Sequence, residues 1–272
     1  LLKEDIMAIP HGQRALLIDI TRCIGCRACS AACQELHQFP GDGTDTELSA
    51  TAYTVVLDKG NDRYVRKLCM HCVDPTCASV CPVGAFSKDA LGPVTYDASR
   101  CLGCRYCMVA CPFGVPKYEW SKAVPTVRKC DFCVDRQKAG QLPACAEACP
   151  VEATVAGTRE ELLAEAHRRI QAEPGKYHPH VYGETEVGGT SVLVLSPVPF
   201  ESLGFRTDLG SGALPVLTWE ALSKVPAVVS LGGAALFGVF WITHRRQEVL
   251  AAEHAAQATA EKPGKGAGDA TH

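Results

Sequence analysis

The sequence predicts an α+β fold in which a small cysteine-loop module is duplicated and then followed by one membrane-spanning helix. Three observations predict it. Sixteen cysteines in 272 residues fall into four groups of four, a strand-and-loop unit recurs within the chain, and one long apolar run near the C-terminus carries no charge.

The cysteine spacing comes first. Cys23, Cys26, Cys29 and Cys33 form C-x2-C-x2-C-x3-C, and Cys69, Cys72, Cys77 and Cys81 form C-x2-C-x4-C-x3-C-P. Cys101, Cys104, Cys107 and Cys111 repeat the first spacing and add Pro112. Cys130, Cys133, Cys145 and Cys149 form C-x2-C-x11-C-x3-C, followed by Pro150, and no cysteine is left over. This is the bacterial ferredoxin ligand run written four times, which implies four [4Fe-4S] clusters with all sixteen cysteines as metal ligands. A cubane needs four thiolates converging from different directions. A tight cysteine loop caps one face, and the cysteine three residues further on points away, in two-cluster ferredoxins to the other cluster. The proline after it stops the short helix. Gly25 and Gly103 let backbone N–H groups approach the cluster sulfurs. Zinc ribbons also use C-x2-C pairs, but rarely with a third loop cysteine and a trailing Cys-Pro. The cysteine density is below that of small disulfide scaffolds.

The repeat organises this region. The stretch Leu17-Ile18-Asp19-Ile20-Thr21-Arg22-Cys23 matches residues Val94 to Cys101, each a short strand entering a cysteine loop. Likewise Cys81-Pro82-Val83-Gly84-Ala85 matches Cys149-Pro150-Val151-Glu152-Ala153. The first and third groups are therefore alike, as are the second and fourth. By itself this permits either neighbouring or nested pairing of groups. Residues 14–157 read as the four-cluster domain, with residues 1–13 as a leading segment and an insertion at 34–68. Within the insertion, Ala52 to Leu57 reads as a strand and Asp58 to Asp62 as a turn. In an extension at 158–224, Thr158 to Ile170 reads as an amphipathic helix. Thr158 is its N-cap, with Glu161 completing a capping box. Thr190 to Leu195 reads as a buried strand, suited to packing on a partner or to covering the core.

Residues 225–243 are uncharged and long enough, at roughly 28 Å, to cross a hydrocarbon core. Trp219 and Trp241 suit its two interfaces, and Gly232, Gly233 and Gly238 offer a face for close helix contact. His244, Arg245 and Arg246 follow the run while only Lys224 directly precedes it. The positive-inside rule then puts the C-terminus in the cytoplasm and the cluster region in the periplasm. Residues 244–272 read as a disordered or loosely helical cytoplasmic tail. A net charge of -3 argues against nucleic acid. There is no nucleotide fingerprint and no nucleophile constellation, so no residue is assigned as catalytic and the chain is not expected to be an enzyme by itself. His71, inside the second group, reads as a loop side chain. His178-Pro179-His180 reads as a surface motif, and Arg27, Arg105, Lys117 and Lys129 read as solvated charges.

Several further stretches carry a resemblance. They are Cys101 to Tyr118, Gly157 to Leu162, Tyr177 to Glu184 and Val187-Gly188-Gly189-Thr190. With the cysteine pattern, they make the chain resemble the four-cluster iron–sulfur subunits of membrane-bound respiratory oxidoreductases. It is most similar to the electron-transfer subunits of periplasmic [NiFe] uptake hydrogenases, and also to the β subunit of formate dehydrogenase. The resemblance implies nested ligation. One cluster takes Cys23, Cys26, Cys29 and Cys149, and a second takes Cys130, Cys133, Cys145 and Cys33. A third takes Cys69, Cys72, Cys77 and Cys111, and the fourth takes Cys101, Cys104, Cys107 and Cys81. It further implies a catalytic partner ([NiFe] or molybdenum/tungsten-pterin), a membrane partner that binds quinone or is a b-type cytochrome, and export in the folded state. Gln34 departs from the pattern, standing where proline would stop the first helix. Readings of another class are a cluster-carrying scaffold or maturation protein and a zinc-stabilised interaction module.

Overall fold

A computed structural model describes residues 12–260. In chain order the elements are β1 (Arg14–Asp19), α1 (Ala28–Leu36), β2 (Val55–Asp58), β3 (Tyr64–Lys67), α2 (Thr76–Ser79), β4 (Phe86–Lys88) and β5 (Val94–Tyr96). There follow α3 (Tyr106–Ala110), β6 (Lys117–Tyr118), β7 (Val127–Arg128), α4 (Val134–Lys138), α5 (Ala144–Glu147) and β8 (Thr154–Thr158). The last elements are α6 (Arg159–Ala172), β9 (Val192–Leu195), α7 (Leu214–Leu222) and α8 (Val225–Ala260). One compact unit ends at Val216 and a second begins at Leu217.

The repeat becomes two antiparallel ladders, each joining the strand after a Cys-Pro to the strand before a cysteine loop. β4 and β5 form a local hairpin with Phe86 opposite Tyr96. β8 and β1 form the same ladder across most of the domain, with Arg14 opposite Thr158 and Ile18 opposite Thr154. The short helices follow suit, α1 packing on α5 and α2 on α3. One ferredoxin-like module is thus folded around the other.

β9 joins β1 in parallel, making the three-stranded order β8-β1-β9. The extension thus contributes a strand to the sheet of the cysteine region. β1 is consequently buried on both faces. Leu16, Ile18 and Ile20 face the core that holds cysteines, while Ala15 and Leu17 pack on Leu162 and Ala166 of α6. Thr158 caps α6 with the reciprocal Glu161 bond in place. Asp19, fully buried, accepts hydrogen bonds from Arg169 Nη1 at 3.0 Å and the Tyr177 hydroxyl at 2.9 Å, pinning α6 to β1.

Gln34 has a definite use. Without a proline, α1 runs nine residues where α2 and α5 stop at four. Gln34 then turns inward, accepting from the Gly43 N–H at 2.6 Å and donating to Asp45 at 2.6 Å, which fastens the insertion. The insertion's strand is β2, paired with β3 across the expected turn.

The helical stretch Leu214–Gln257 is the one helix among the described residues that is long and apolar enough to cross a membrane. From Leu217 on its large apolar side chains, including Val228, Leu231, Leu236, Phe237 and Ile242, are exposed. Thr243 donates its hydroxyl to the Val239 carbonyl at 2.9 Å, satisfying the one polar group of the run's end within the helix. Residues 244–260 continue the same helix, the helical form of the two expected for the tail. The rest of the expected tail and residues 1–11 of the leading segment lie outside the described residues.

Candidate iron–sulfur sites

The C-x2-C loop that opens each cysteine group has a residue in the left-handed region directly before its second cysteine. These are Gly25 (φ 69°), His71 (φ 48°), Gly103 (φ 74°) and Phe132 (φ 64°). The turn aims backbone N–H groups at the first sulfur of the loop. Phe132 N–H donates to Cys130 Sγ at 3.4 Å, and Gly25 and Gly103 N–H groups do the same for Cys23 and Cys101. At Gly25 the glycine is needed twice over, because a Cβ there would lie 2.5 Å from the Tyr64 ring.

All sixteen cysteines are free, and the fold gathers them by fours. Cys23 sits among Cys29, Cys149 and Cys26, close enough for their charges to oppose its ionisation. Cys33 stands in the same relation to Cys145 and Cys133, and Cys130 to Cys33 and Cys145. Cys72 has Cys69, Cys111 and Cys77 around it, and Cys107 has Cys101, Cys104 and Cys81. Two of these quartets line small internal cavities. One is bounded by Cys69, Cys72, Cys77 and Cys111, the other by Cys33, Cys130, Cys133 and Cys145. The quartets also approach one another in series. Cys29 neighbours Cys145, Cys130 neighbours Cys69, and Cys77 neighbours Cys107.

The thiols fit anionic ligation to metal. Burial pushes Cys33 and Cys77 up to about 12 and Cys107 and Cys133 to about 11. Such sulfurs carry charge at neutral pH only when a metal takes the proton's place. Cys101 moves the other way. Burial opposes its ionisation, but the Tyr96 hydroxyl and the N–H groups of Gly103 and Val127 outweigh it. A single tetrahedral ion draws its thiolates to roughly 3.8 Å of one another, given a Zn–S bond near 2.3 Å. Among the described residues, no three Cys, His, Asp or Glu side chains group so as to hold one metal ion.

The 4Fe-4S dicluster domain family matches residues 61–159, which contain the second, third and fourth cysteine groups. A protein of Nitratidesulfovibrio vulgaris is 44% identical over 256 residues, covering 88% of this chain and 69% of its own. The hydrogenase-2 operon protein HybA of Escherichia coli O157:H7 is 40% identical over 258 residues, covering 77% of this chain and 78% of its own. The formate dehydrogenase iron-sulfur subunit of Haemophilus influenzae is 34% identical over 246 residues, covering 82% and 77%. The chain belongs to the ferredoxin-like iron–sulfur subunits of respiratory oxidoreductases. Its role is electron transfer, and its cofactors are iron–sulfur clusters of the 4Fe-4S type.

Around its quartets this iron–sulfur subunit places charges differently from the sequence reading. Lys129 is not solvated. It is buried, with Nζ donating to the carbonyls of Val94 and Cys130. Lys88 donates to the His71 and Cys72 carbonyls, and burial brings its pKa down to about 8. Arg105 lies over the Tyr118 and Trp120 rings. His71 is not a loose loop side chain either. It is fully buried, and Nδ1 accepts from the Val94 N–H at 2.9 Å. His180 pairs with Glu186 at 2.6 Å, which accounts for half of the His-Pro-His motif without a metal. The sequence reading missed Arg66, the buried cation nearest the second quartet. Its only signal was a basic residue alternating with apolar Val65 and Leu68 just before a cysteine loop.

Proposed function

We propose that the iron–sulfur subunit binds four [4Fe-4S] clusters with nested ligation and passes electrons between a [NiFe] hydrogenase subunit and a quinone-reactive integral membrane subunit. The supporting observation is the gathering of Cys23/26/29 with Cys149, Cys130/133/145 with Cys33, Cys69/72/77 with Cys111, and Cys101/104/107 with Cys81. It follows from the β1–β8 and β4–β5 ladders, which bring the first group to the fourth and the second to the third. Clusters of this kind, when bound, exchange one electron at a time.

The protein's own part is to hold, space and insulate. Two of the quartets line small enclosed cavities with little room for water, and backbone N–H groups aimed at sulfur favour the anionic state. The quartets are ordered first, second, third, fourth by their contacts, with the modules meeting at Cys69 and Cys130. The two ends of that series serve for entry and exit, and α8 anchors the chain in the membrane beside the acceptor. The cluster unit lies in the periplasm and the C-terminus in the cytoplasm.

The hydrogenase reading is preferred because the hydrogenase-2 operon relative is more similar than the formate dehydrogenase one. The alternative is the β subunit of a molybdenum- or tungsten-pterin formate dehydrogenase delivering electrons to a b-type cytochrome. Anaerobic purification of the native complex tests both. The expected result is about sixteen irons per chain, from four per cluster, with four one-electron steps in an EPR titration and a co-purified nickel–iron subunit. A pterin subunit instead favours the alternative. Eight irons or fewer removes the four-cluster assignment. Protease access to residues 244–260 from the cytoplasmic side only is the expected topology.

A further inference from the structure

Arg66 is buried at 5% exposure, on β3, with its guanidinium facing inward. Nε donates to Thr54 Oγ1 at 2.9 Å and Nη1 to Thr154 Oγ1 at 3.2 Å. Both partners are neutral hydroxyls. Among the described residues no carboxylate forms an ion pair with Arg66, whereas buried Arg169 has Asp19 and Glu165, and buried Arg159 donates to the Thr190 and Glu184 carbonyls away from the cysteines. A guanidinium does not give up its proton in a protein, so a fixed positive charge sits here without a conventional counter-ion.

Sulfur takes that place. Arg66 lines the same cavity as Cys33, Cys130, Cys133 and Cys145. It lies beside Cys145, and its charge favours the ionised form of Cys29 and Cys33 as well. The residue therefore stands between the first and second quartets, nearer the second. An isolated buried charge is costly, and thiolate-bound clusters, being anionic and more so when reduced, supply its countercharge.

We propose that Arg66 is the residue that sets the reduction potential of the cluster held by Cys33, Cys130, Cys133 and Cys145, raising it by a fixed, desolvated positive charge. Local charge and burial are the means by which a protein tunes such centres. A water-excluded charge is weakly screened, so it acts at full strength where solvated Arg27 does not. Thr54 and Thr154 hold the guanidinium in place without neutralising it. The effect on the first cluster, through Cys29, is smaller in the same direction. The second cluster is thereby a more favourable stop for the electron than its neighbour at the end of the series.

The inference rests on the four-cluster reading, and iron content separates the failure of one from the failure of the other. The test uses the full chain, anaerobically purified in its native complex, with iron analysis and EPR-monitored redox titration. Arg66→Gln removes the charge. Thr54→Asp cancels it while leaving the arginine in place, and Arg66→Lys keeps it. With iron content unchanged, both charge-cancelling variants should lower the same one-electron step. The ratio of reduced to oxidised form at fixed potential should fall at least tenfold, about 59 mV for one electron. A second step should move less, and Arg66→Lys should stay close to the parent. Unchanged midpoints in a fully loaded Arg66→Gln or Thr54→Asp protein overturn the proposal. So does an Arg66→Lys shift as large as that of glutamine. If neither neutralised form loads its full iron, Arg66 is a structural brace and the proposal falls.

Discussion

The rings of His71 and Phe132 lie 4.5 Å apart, and the two residues occupy the same position in their cysteine loops. Each is the left-handed residue before a second cysteine, His71 in the second group and Phe132 in the fourth. The other two loops use glycine there. The paired rings mark the seam between the modules, where Cys69 and Cys130 are also neighbours. Bulky residues tolerate the left-handed conformation here because the side chains fill the seam, offsetting backbone strain with burial.

Phe132→Ala should therefore loosen the seam. The ring is 1% exposed, and a buried Phe→Ala change costs about 3 kcal/mol or more. Bleaching of cluster absorbance in denaturant should run at least tenfold faster than in the parent. An unchanged rate would mean that the rings do not join the modules.

Removing the Gln34 side chain should free the insertion rather than the clusters. Gln34→Ala leaves the Gly43 N–H without its acceptor, a loss of about 1–3 kcal/mol. Limited proteolysis within residues 41–51 should rise several-fold while iron content stays at the parent value. Iron loss with no change in proteolysis is the contrary outcome.

Asp19→Asn should weaken the hold of α6 on β1. Arg169 then lacks its fully buried partner, and breaking such a pair costs about 3 kcal/mol. Combined with Arg169→Met, the second change should cost much less than it does alone. Strict additivity in chemical denaturation would show that the two side chains do not act as a pair.

Acid should act on the same helix through Glu165. Its hydrogen bonds from Arg168 and Arg169 hold its pKa down at about 2. The stabilisation is complete above the unfolded value of 4.5 and is lost as pH falls toward 2. Glu165 is partly solvated, so the contribution is below about 1 kcal/mol. Glu165→Gln should flatten the difference in stability between pH 5 and pH 3 relative to the parent.

Iron removal should unfold the cluster unit. Three of the quartets contribute cysteines to the buried core, and among the described residues no carboxylate forms an ion pair with Arg66 in their stead. Chelation under reducing conditions should abolish the far-UV CD signature of β1–β8 and the hydrogen-exchange protection of Leu16 to Ile18. A chelated chain that keeps that protection contradicts this account.

The cysteine spacing, the strand-loop repeat, the α6 capping box and the apolar run of α8 were legible because each is a local pattern. Short-range geometry dictates how thiols present themselves in a C-x2-C loop, how Thr158 and Glu161 close a helix, and how nineteen uncharged residues make a helix long and apolar enough to cross a membrane. The gathering of cysteine groups first with fourth and second with third was implied by the resemblance but was not legible in the residues themselves, since the repeat allowed neighbouring groups equally. It depends on β1 pairing with β8 across the whole module rather than within a hairpin. The same holds for β9, whose buried strand could be read but whose place beside β1 could not. Arg66, Lys88, Lys129 and His71 looked like ordinary polar side chains because burial is a property of the packed molecule. Tertiary contacts alone took water away from them, and with water gone their charges and hydrogen bonds bear on sulfur.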